Sequence, residues 1–179
     1  MLLDNKTPSE DNEPYKVVDF LEKHTKTGAL DLVTGFFSVN ALALMKNNIN
    51  KAQTYRLILG NLLQEISDEN RIIDLLNGDA GIEKTLSLSI SAKQAIEFLK
   101  QDKVLVKNIQ RNFCHAKTYI YSDKEDSINH YHIIGSSNLT DAGLGIKESS
   151  NIELNSATTG NNADFKELKK KVIFIVGLL

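Results

Sequence analysis

The strongest constraint on the fold of this chain is an alternation of apolar, strand-like runs with amphipathic helical segments. The strand-like runs are rich in β-branched and aromatic residues, and they lie at residues 29–38, 54–61 and 103–109. The helical patterns between them lie at residues 40–52, 67–78 and 91–101. A strand, a helix and a further strand in succession are typical of parallel strands joined by helical crossovers. This part of the chain therefore predicts an α/β unit.

The rest of the chain predicts antiparallel strands beside that unit. Two short runs, 115–122 and 131–138, flank a polar loop and predict a hairpin, and a further short strand is predicted at 150–155. A charged helix is predicted at 162–171, and the apolar octet 172–179 favours a last strand. Together the two parts predict the α/β class, with a mixed central β-sheet sandwiched by helices.

Length and composition fit one globular domain. The chain has 179 residues, of which 41% are hydrophobic and 25% are charged. Residues 1–14 are mainly polar and include two prolines, which predicts a flexible lead-in. Residues 15–179 then form the domain, which begins with an amphipathic helix that ends near Gly28.

Charge, cysteine content and hydropathy exclude several classes of protein. The net charge of −2 gives no overall attraction to nucleic acid, so binding to a polyanion requires a local basic patch. Cys114 is the only cysteine, which excludes an intramolecular disulfide. The first residues lack a secretory signal, and the longest apolar run of eight residues is far shorter than the ~20 of a membrane helix. These features favour a cytoplasmic protein that does not enter the membrane.

The start of the predicted hairpin carries a histidine and a lysine two residues apart. Successive strand residues alternate between faces, so His115 and Lys117 are expected to share one face. With a symmetric hairpin loop, His115 lies opposite Asn138 and Lys117 lies opposite Ser136. A register shift of one residue would change this pairing. The hairpin therefore predicts a cluster of imidazole, ammonium, hydroxyl and carboxamide groups.

Such a cluster suits metal-independent attack on a phosphodiester. An imidazole is a nucleophile or a proton carrier near neutral pH. Lysine and asparagine side chains donate hydrogen bonds to phosphoryl oxygens, whose charge changes during displacement. The cluster contains no set of carboxylates of the kind that a catalytic Mg²⁺ prefers. No cofactor or metal is therefore expected.

At these residues the chain resembles the phospholipase D superfamily, whose hallmark is H-x-K followed by G-S-x-N. The matching segments are HAK at 115–117 and GSSN at 135–138, and NIE at 151–153 is similar to the superfamily's N-x-E element. The sequence around these segments is especially similar to phospholipase D-like domains of bacterial nucleases and of DEAD- or SNF2-type helicase fusions. TGFFS and LILGN, within residues 34–61, resemble the first strands of that subgroup more loosely.

The resemblance implies a role for each matching residue. His115 would attack phosphorus and form a phosphohistidine, Lys117 and Asn138 would hold the non-bridging oxygens, and Ser136 would support their hydrogen bonds. Glu153 matches the acid that orients or polarises a histidine. Members use two such motifs in each active site, and this chain has one. The resemblance therefore implies a homodimer with a shared site, and a domain that belongs to a longer helicase-type protein is a further expectation.

One position departs from the superfamily's pattern and bears on the alternatives. The aspartate expected five residues after Lys117 is replaced by Ser122. This difference argues more against a lipase than against a nuclease, so hydrolysis of nucleic acid, most simply DNA, is the favoured hypothesis. A non-catalytic DNA-binding module attached to a helicase, and a phospholipid hydrolase, are the alternatives.

Basic residues near the motif are candidates for substrate binding. Lys103, Lys107 and Arg111 precede it, and Lys147 lies between GSSN and NIE. The lysine-rich run 166–171 is a further candidate for a basic patch, although such runs are more often solvated helix ends.

Two further histidines raise the question of a metal site. His130 and His132 share one face of a strand and could form a metal site with Cys114. No third ligand at a defined spacing supports this, and both histidines adjoin a loop, so they are interpreted as surface residues.

Overall fold

A computed structural model describes residues 1–8, 13–59, 81–108, 115–123 and 128–175. Within these residues the chain forms one seven-stranded mixed β-sheet of strand order β1-β7-β6-β5-β2-β3-β4. The strands are β1 (Leu2–Asp4), β2 (Ala29–Thr34), β3 (Thr54–Leu59), β4 (Val104–Asn108), β5 (Thr118–Ser122), β6 (Tyr131–Gly135) and β7 (Leu154–Thr159). The predicted α/β class with a mixed sheet is confirmed.

Helices cover both faces of this sheet. They are α1 (Val17–His24), α2 (Val39–Asn47), α3 (Gly81–Leu99), α4 (Asp141–Leu144) and α5 (Ala163–Ile175). Apolar residues of the first four helices contribute to the larger core cluster on one face. Helix α5 packs on the other face, where Phe165 and Val172 meet Val33, Ile58 and Ile120. The predicted helix at 67–78 lies outside the described residues.

The parallel half of the sheet follows the predicted alternation of strands and helices. β2 pairs with β3, and β3 pairs with β4, both in parallel. Leu32 pairs with Leu57, which in turn pairs with Val106. Leu30, Leu32 and Leu57 are fully buried in the larger core. Parallel strands have their carboxyl ends at the same edge, and this edge carries the candidate site.

The antiparallel half has a register one residue away from the predicted one. β5 pairs Tyr119 with Ile133 and Tyr121 with Tyr131, whereas the predicted register would pair Tyr119 with Ile134. In the observed register, four large apolar and aromatic residues share the larger core, and Ile134 is left on the opposite, partly exposed face. A slip of one residue exchanges the two faces of a strand, so the burial of these side chains selects the register.

The start of the chain is ordered as an edge strand, which corrects the expected flexible lead-in over its first part. β1 pairs antiparallel with β7, and Leu2 aligns with Ser156. Leu3 is 1% exposed and belongs to the larger core. Burial of one leucine and the paired backbone hold this segment, although its flanks are polar.

The predicted terminal strand is also wrong over the residues that can be compared. Helix α5 continues to Ile175, so residues 172–175 are helical, and residues 176–179 lie outside the described part of the chain. Phe165, Leu168 and Val172 are spaced at helical intervals and pack against the same core cluster. The β-branched residues in this run were compatible with a strand, but the packing of one helical face decides its structure.

The interpretation of His130 and His132 as surface residues is wrong, because α5 covers both. His130 is 8% exposed and His132 is 6% exposed. The ring of Phe165 lies 4.9 Å from that of His130 and 6.3 Å from that of His132. Both imidazoles are therefore part of the packing between α5 and β6.

Candidate active site

The candidate residues gather at one edge of the sheet. β2 and β6 end at this edge, whereas β5 and β7 begin there, because β5 is antiparallel to both β2 and β6. Lys117 immediately precedes β5, and the backbone N–H of Gly135 donates to its carbonyl oxygen at 3.4 Å. Lys117 thus lies beside Gly135 and not beside Ser136 as predicted. The motif still converges, because its segments are the ends of neighbouring strands.

His115 and Lys117 contact each other directly. The Lys117 Nζ lies 2.9 Å from the His115 Nδ1 and donates to the His115 carbonyl oxygen at 2.7 Å. His115 is exposed, whereas Lys117 is 7% exposed. An ammonium group can only donate, so the ring nitrogen that receives this bond must carry a lone pair. The contact therefore places the ammonium and the imidazole next to each other at the sheet edge.

Both residues lie just outside the regular strand that was predicted to contain them. β5 begins at Thr118, and residues 115–117 are outside the regular strand. The expected sharing of one strand face is thus replaced by a short segment in which the lysine side chain folds back on the histidine. This arrangement leaves the imidazole at the solvent side of the sheet edge.

The carboxamide of Asn138 has a fixed orientation at the end of β2. Its Oδ1 accepts a hydrogen bond from the backbone N–H of Phe36 at 3.1 Å. Thr34 Oγ1 lies 3.2 Å from the same oxygen and accepts from the N–H of Leu139 at 3.0 Å. The Nδ2 of Asn138 has no hydrogen-bond partner within the described residues. Its two N–H groups are therefore available to an acceptor such as a phosphoryl oxygen.

Ser136 connects the motif to β7. Its Oγ accepts a hydrogen bond from the N–H of Leu154 at 3.0 Å, and its backbone N–H donates to the carbonyl oxygen of Leu154 at 3.2 Å. These bonds position the residue that follows Glu153. In this structure Ser136 supports the site through the backbone of β7.

The buried pair of Ser137 and Asn155 is a part of the site that sequence reasoning missed. The Ser137 N–H donates to the Asn155 Oδ1 at 3.1 Å, and the Asn155 Nδ2 donates to the Ser137 Oγ at 2.8 Å. Ser137 is 0% exposed and Asn155 is 2% exposed. A Cβ on Gly135 would lie 2.3 Å from the Asn155 Oδ1, so this close approach requires glycine. In the sequence, the second serine of GSSN, Ser137, was the only sign of this buried pair.

Glu153 is held beside the motif by the start of the chain. Its backbone N–H donates to the Asn5 Oδ1 at 3.0 Å, and the Asn5 Nδ2 donates to the carbonyl oxygens of Ala142 and Asn151, each at 3.1 Å. Burial, and secondly the negative charge of Glu153, raise the pKa of the Tyr119 hydroxyl. That hydroxyl donates to the carbonyl oxygen of Ser137 at 3.1 Å. The charge of Glu153 therefore acts on the Tyr119 hydroxyl, which bonds to the backbone of GSSN.

The TGFFS segment after β2 docks against the loop that follows GSSN. The Ser38 N–H donates to the Leu139 carbonyl oxygen at 2.9 Å, and the Ser38 Oγ donates to the Asp141 Oδ1 at 3.1 Å. Phe37 also forms an isolated bridge with Leu139. Two segments of the resemblance that are 103 residues apart in the chain are thus in contact.

The candidate substrate-binding residues are not all near this edge. Lys103 lies at the amino end of β4, at the opposite edge, and its Nζ donates to the carbonyl oxygens of Asn50 and Ala52, each at 3.1 Å. Lys107 is exposed near the carboxyl end of β4, three strands from β5. Lys147 is exposed on the loop after α4, whereas Arg111 lies outside the described residues.

The lysine-rich run on α5 belongs to a different surface. The Lys169 Nζ donates to the Ser122 Oγ at 2.6 Å, and Ser122 ends β5 at the edge opposite the candidate site. Lys166, Lys169 and Lys170 line a cleft with His130 there. Ser122, the last residue of β5, is therefore remote from His115.

No group of three metal-ligating side chains occurs among the residues that the structure describes. Cys114 lies outside those residues, so the proposed set of His130, His132 and Cys114 cannot be assembled from them. None of the described helices combines the length and the apolar character that crossing a membrane requires.

Comparisons with known proteins leave the family open. No protein-family profile matches the chain, and no curated protein sequence matches it at a significant level. The functional reading consequently depends on the site geometry and on the resemblance of the short motifs.

Proposed function

We propose that this chain is a metal-independent phosphodiesterase of the phospholipase D type that acts on nucleic acid. The observation that carries the proposal is the contact between the His115 imidazole and the Lys117 ammonium at a sheet edge that also presents the Asn138 carboxamide. A nucleophile beside hydrogen-bond donors is the arrangement that displacement at a phosphoryl group needs.

The proposed reaction has two displacement steps. In the first, a ring nitrogen of His115 forms a bond to phosphorus while the bond from phosphorus to the leaving oxygen breaks, and that oxygen takes a proton from a second imidazole. In the second, water attacks the phosphohistidine, gives a proton to the same second imidazole and releases His115. Lys117 and Asn138 donate to the non-bridging oxygens throughout, and Glu153 stabilises the positive charge that develops on an imidazole.

The second imidazole is proposed to come from another copy of the chain. The sequence contains two H-x-K triplets, at 24–26 and 115–117, but G-S-x-N occurs once, and a two-fold axis near His115 would bring two copies of the complete motif to one phosphate. Exposed apolar side chains beside the site support such an interface. Ile134, Ile152 and Leu154 are 43%, 77% and 59% exposed, and they adjoin Gly135 and Glu153 in the sequence.

A mixing experiment tests the shared site directly. Wild-type protein and the His115→Ala variant are mixed at fixed total concentration and incubated until their subunits have exchanged. The mixture is then assayed on a labelled oligonucleotide in EDTA. If each active site needs both histidines, activity falls with the square of the wild-type fraction, to roughly a quarter at equal mixing. A linear fall to about one half would show that each subunit acts alone.

His24 provides the matched control for this experiment. It lies on α1 and its ring stacks on Phe20 at 4.3 Å, away from the candidate edge. The His24→Gln variant should retain turnover and should not reduce the activity of the wild type on mixing. Tight DNA binding by a wild-type dimer that never turns over would instead favour the alternative of a non-catalytic binding module, to which a helicase partner could attach.

A further inference from the structure

A second group of basic residues lies at the same sheet edge as the candidate site. Lys6, Lys16 and Lys147 line one cleft together with the loop 145–150. We call this group the edge cleft. Lys147 was already a candidate from the sequence, but Lys6 and Lys16 are more than a hundred residues away from it in the chain. Pairing of β1 with β7 brings them together.

The edge cleft is built into the fold. The Lys6 Nζ donates to the carbonyl oxygen of Ser149. The methylene groups of Lys16 pack against Gly145, since a Cβ at that glycine would lie 3.0 Å from the Lys16 Cδ. Asn5 fixes the adjacent backbone by its bonds to Asn151 and Glu153. The cleft is therefore directly continuous with the backbone that carries the candidate acid.

The local charge of the edge cleft differs in sign from that of the whole chain. Three lysines line it against one carboxylate, that of Glu148, whereas the chain has a net charge of −2. The nearby Asp4 carboxylate accepts hydrogen bonds from the N–H and the hydroxyl of Thr7 at 2.6 and 2.7 Å. A locally positive cleft on an acidic protein concentrates polyanions at that position.

The position of the cleft indicates the length of the ligand. β1 and β5 are separated by β7 and β6 in the sheet, which is three strand spacings. At about 4.8 Å each, these spacings place the end of β1 roughly 14 Å from Lys117 along the edge. A stacked nucleic-acid strand advances ~3.4 Å per nucleotide, so this distance corresponds to about four nucleotides. A small diester at His115 would not reach the cleft.

We propose that the edge cleft binds backbone phosphates of a polynucleotide on one side of the phosphate at His115. The proposal depends on the proposed function for the identity of the central phosphate, and it adds the requirement that the substrate is a strand of several nucleotides. Lys6, Lys16 and Lys147 would act as binding residues that position the strand, and they would take no part in bond making.

The test compares ligands of different length in a variant that lacks the three charges. The triple variant Lys6→Gln, Lys16→Gln, Lys147→Gln is titrated against fluorescein-labelled single-stranded oligonucleotides by anisotropy at several salt concentrations. Loss of up to three phosphate contacts should reduce the slope of log K against log salt by about 2, since each contact to a single strand contributes ~0.7. Hydrolysis of bis(p-nitrophenyl) phosphate should keep its kcat and KM, because this diester is too short to reach the cleft.

Three lysines at the opposite sheet edge provide the matched control. Lys26, Lys51 and Lys100 precede β2, β3 and β4, and the variant with glutamine at all three has the same change in net charge. It should leave the salt slope unchanged. Equal losses in the two triple variants would show a non-specific charge effect and would overturn the proposal. Two further variants test for a folding defect. Lys147→Gln changes one residue on an exposed loop, and the triple variant Lys6→Arg, Lys16→Arg, Lys147→Arg keeps the positive charges and should bind like the wild type.

The two proposals fail in different ways. The phosphodiesterase would be refuted, and the cleft supported, by two results together. The wild type would cleave no diester, and the salt dependence of oligonucleotide binding would be weaker in the edge-cleft variant but not in the control variant. A wild type that cleaves oligonucleotides, with unchanged binding in the edge-cleft variant, would refute the cleft alone.

Discussion

Replacement of Asn155 by alanine tests whether the buried amide holds the GSSN turn on β7. Asn155 is 2% exposed, and its carboxamide makes both a donor and an acceptor bond to Ser137. The Asn155→Ala variant removes both bonds and leaves the buried Ser137 N–H without its acceptor. The fold keeps its other strand pairings, so the effect should be local.

The expected loss of stability follows from the two bonds. A buried donor without an acceptor costs about 1–3 kcal/mol, and the bond to the Ser137 hydroxyl contributes roughly 0.5–1.5 kcal/mol. The free energy of unfolding should therefore fall by about 2–4 kcal/mol. Since a domain of this size is typically stable by ~5–15 kcal/mol, the variant should still fold.

Urea unfolding followed by circular dichroism measures this difference. The midpoint should fall while the dependence on urea concentration stays constant, because the surface exposed on unfolding is nearly the same. Asn151→Ala, at an exposed position, is the matched control and should change stability by less than ~0.5 kcal/mol. An equally small change in Asn155→Ala would refute the role assigned to the amide. A double-mutant cycle with Ser137→Ala should show a coupling of about 1 kcal/mol or more.

Three further predictions follow from the packing. Gly135→Ala should destabilise the protein by about 2 kcal/mol or more in urea unfolding, because its Cβ would lie 2.3 Å from the Asn155 Oδ1; an unchanged midpoint would contradict this contact. Burial lowers the pKa of His132 below its ordinary value of 6.5, so the unfolded chain binds the proton first and stability should decline as pH falls below 6.5; the decline should be weaker in His132→Leu, and an identical pH profile would count against it. Asp31→Asn should lower the thermal midpoint by several degrees, since Asp31 is 3% exposed and pairs with the Arg56 guanidinium, whereas retention of the wild-type midpoint would show that this pair contributes little.

The parallel half of the fold could be predicted because its information is local. β2, β3 and β4 each coincide with an apolar run, and α2 and the second half of α3 coincide with predicted helices, whereas α3 begins at Gly81, ten residues before its predicted start. The placement of Lys117 and Asn138 at the same sheet edge could also be predicted, because β5 begins and β6 ends there, whereas the predicted pairing of His115 with Asn138 is not part of the observed register. These features depend on the alternation of strand-like and helical segments and on their order in the chain, and both can be read from the sequence.

The hairpin register could not be predicted from the loop alone. A symmetric loop was assumed, but the burial of Tyr119, Tyr121 and Ile133 on one face selects a register shifted by one residue. The position of side chains in the core thus outweighed loop symmetry. As a result Lys117 lies beside Gly135, and Ser136 bonds to β7.

Contacts between distant segments were the other part that the sequence did not reveal. Asn5 and Glu153 are held together although they are 148 residues apart. The helical end of α5 could not be recognised either, because a run of β-branched residues fits a strand or a buried helix face equally well. The burial of both histidines under Phe165 was missed although a helix was predicted at 162–171, because the sequence does not show which strand that helix covers.

The bond between Asn5 and the backbone at Glu153 makes the first residues of the chain an adjustable support for a distant carboxylate. The Asn5→Ala variant would remove this bond while keeping Leu3 in the core, so it should loosen the Glu153 segment more than the segment of His115 and Lys117. Changes near residue 5 should therefore alter the position of Glu153 separately from that of His115. An affinity tag placed before residue 1 is expected to disturb the same segment.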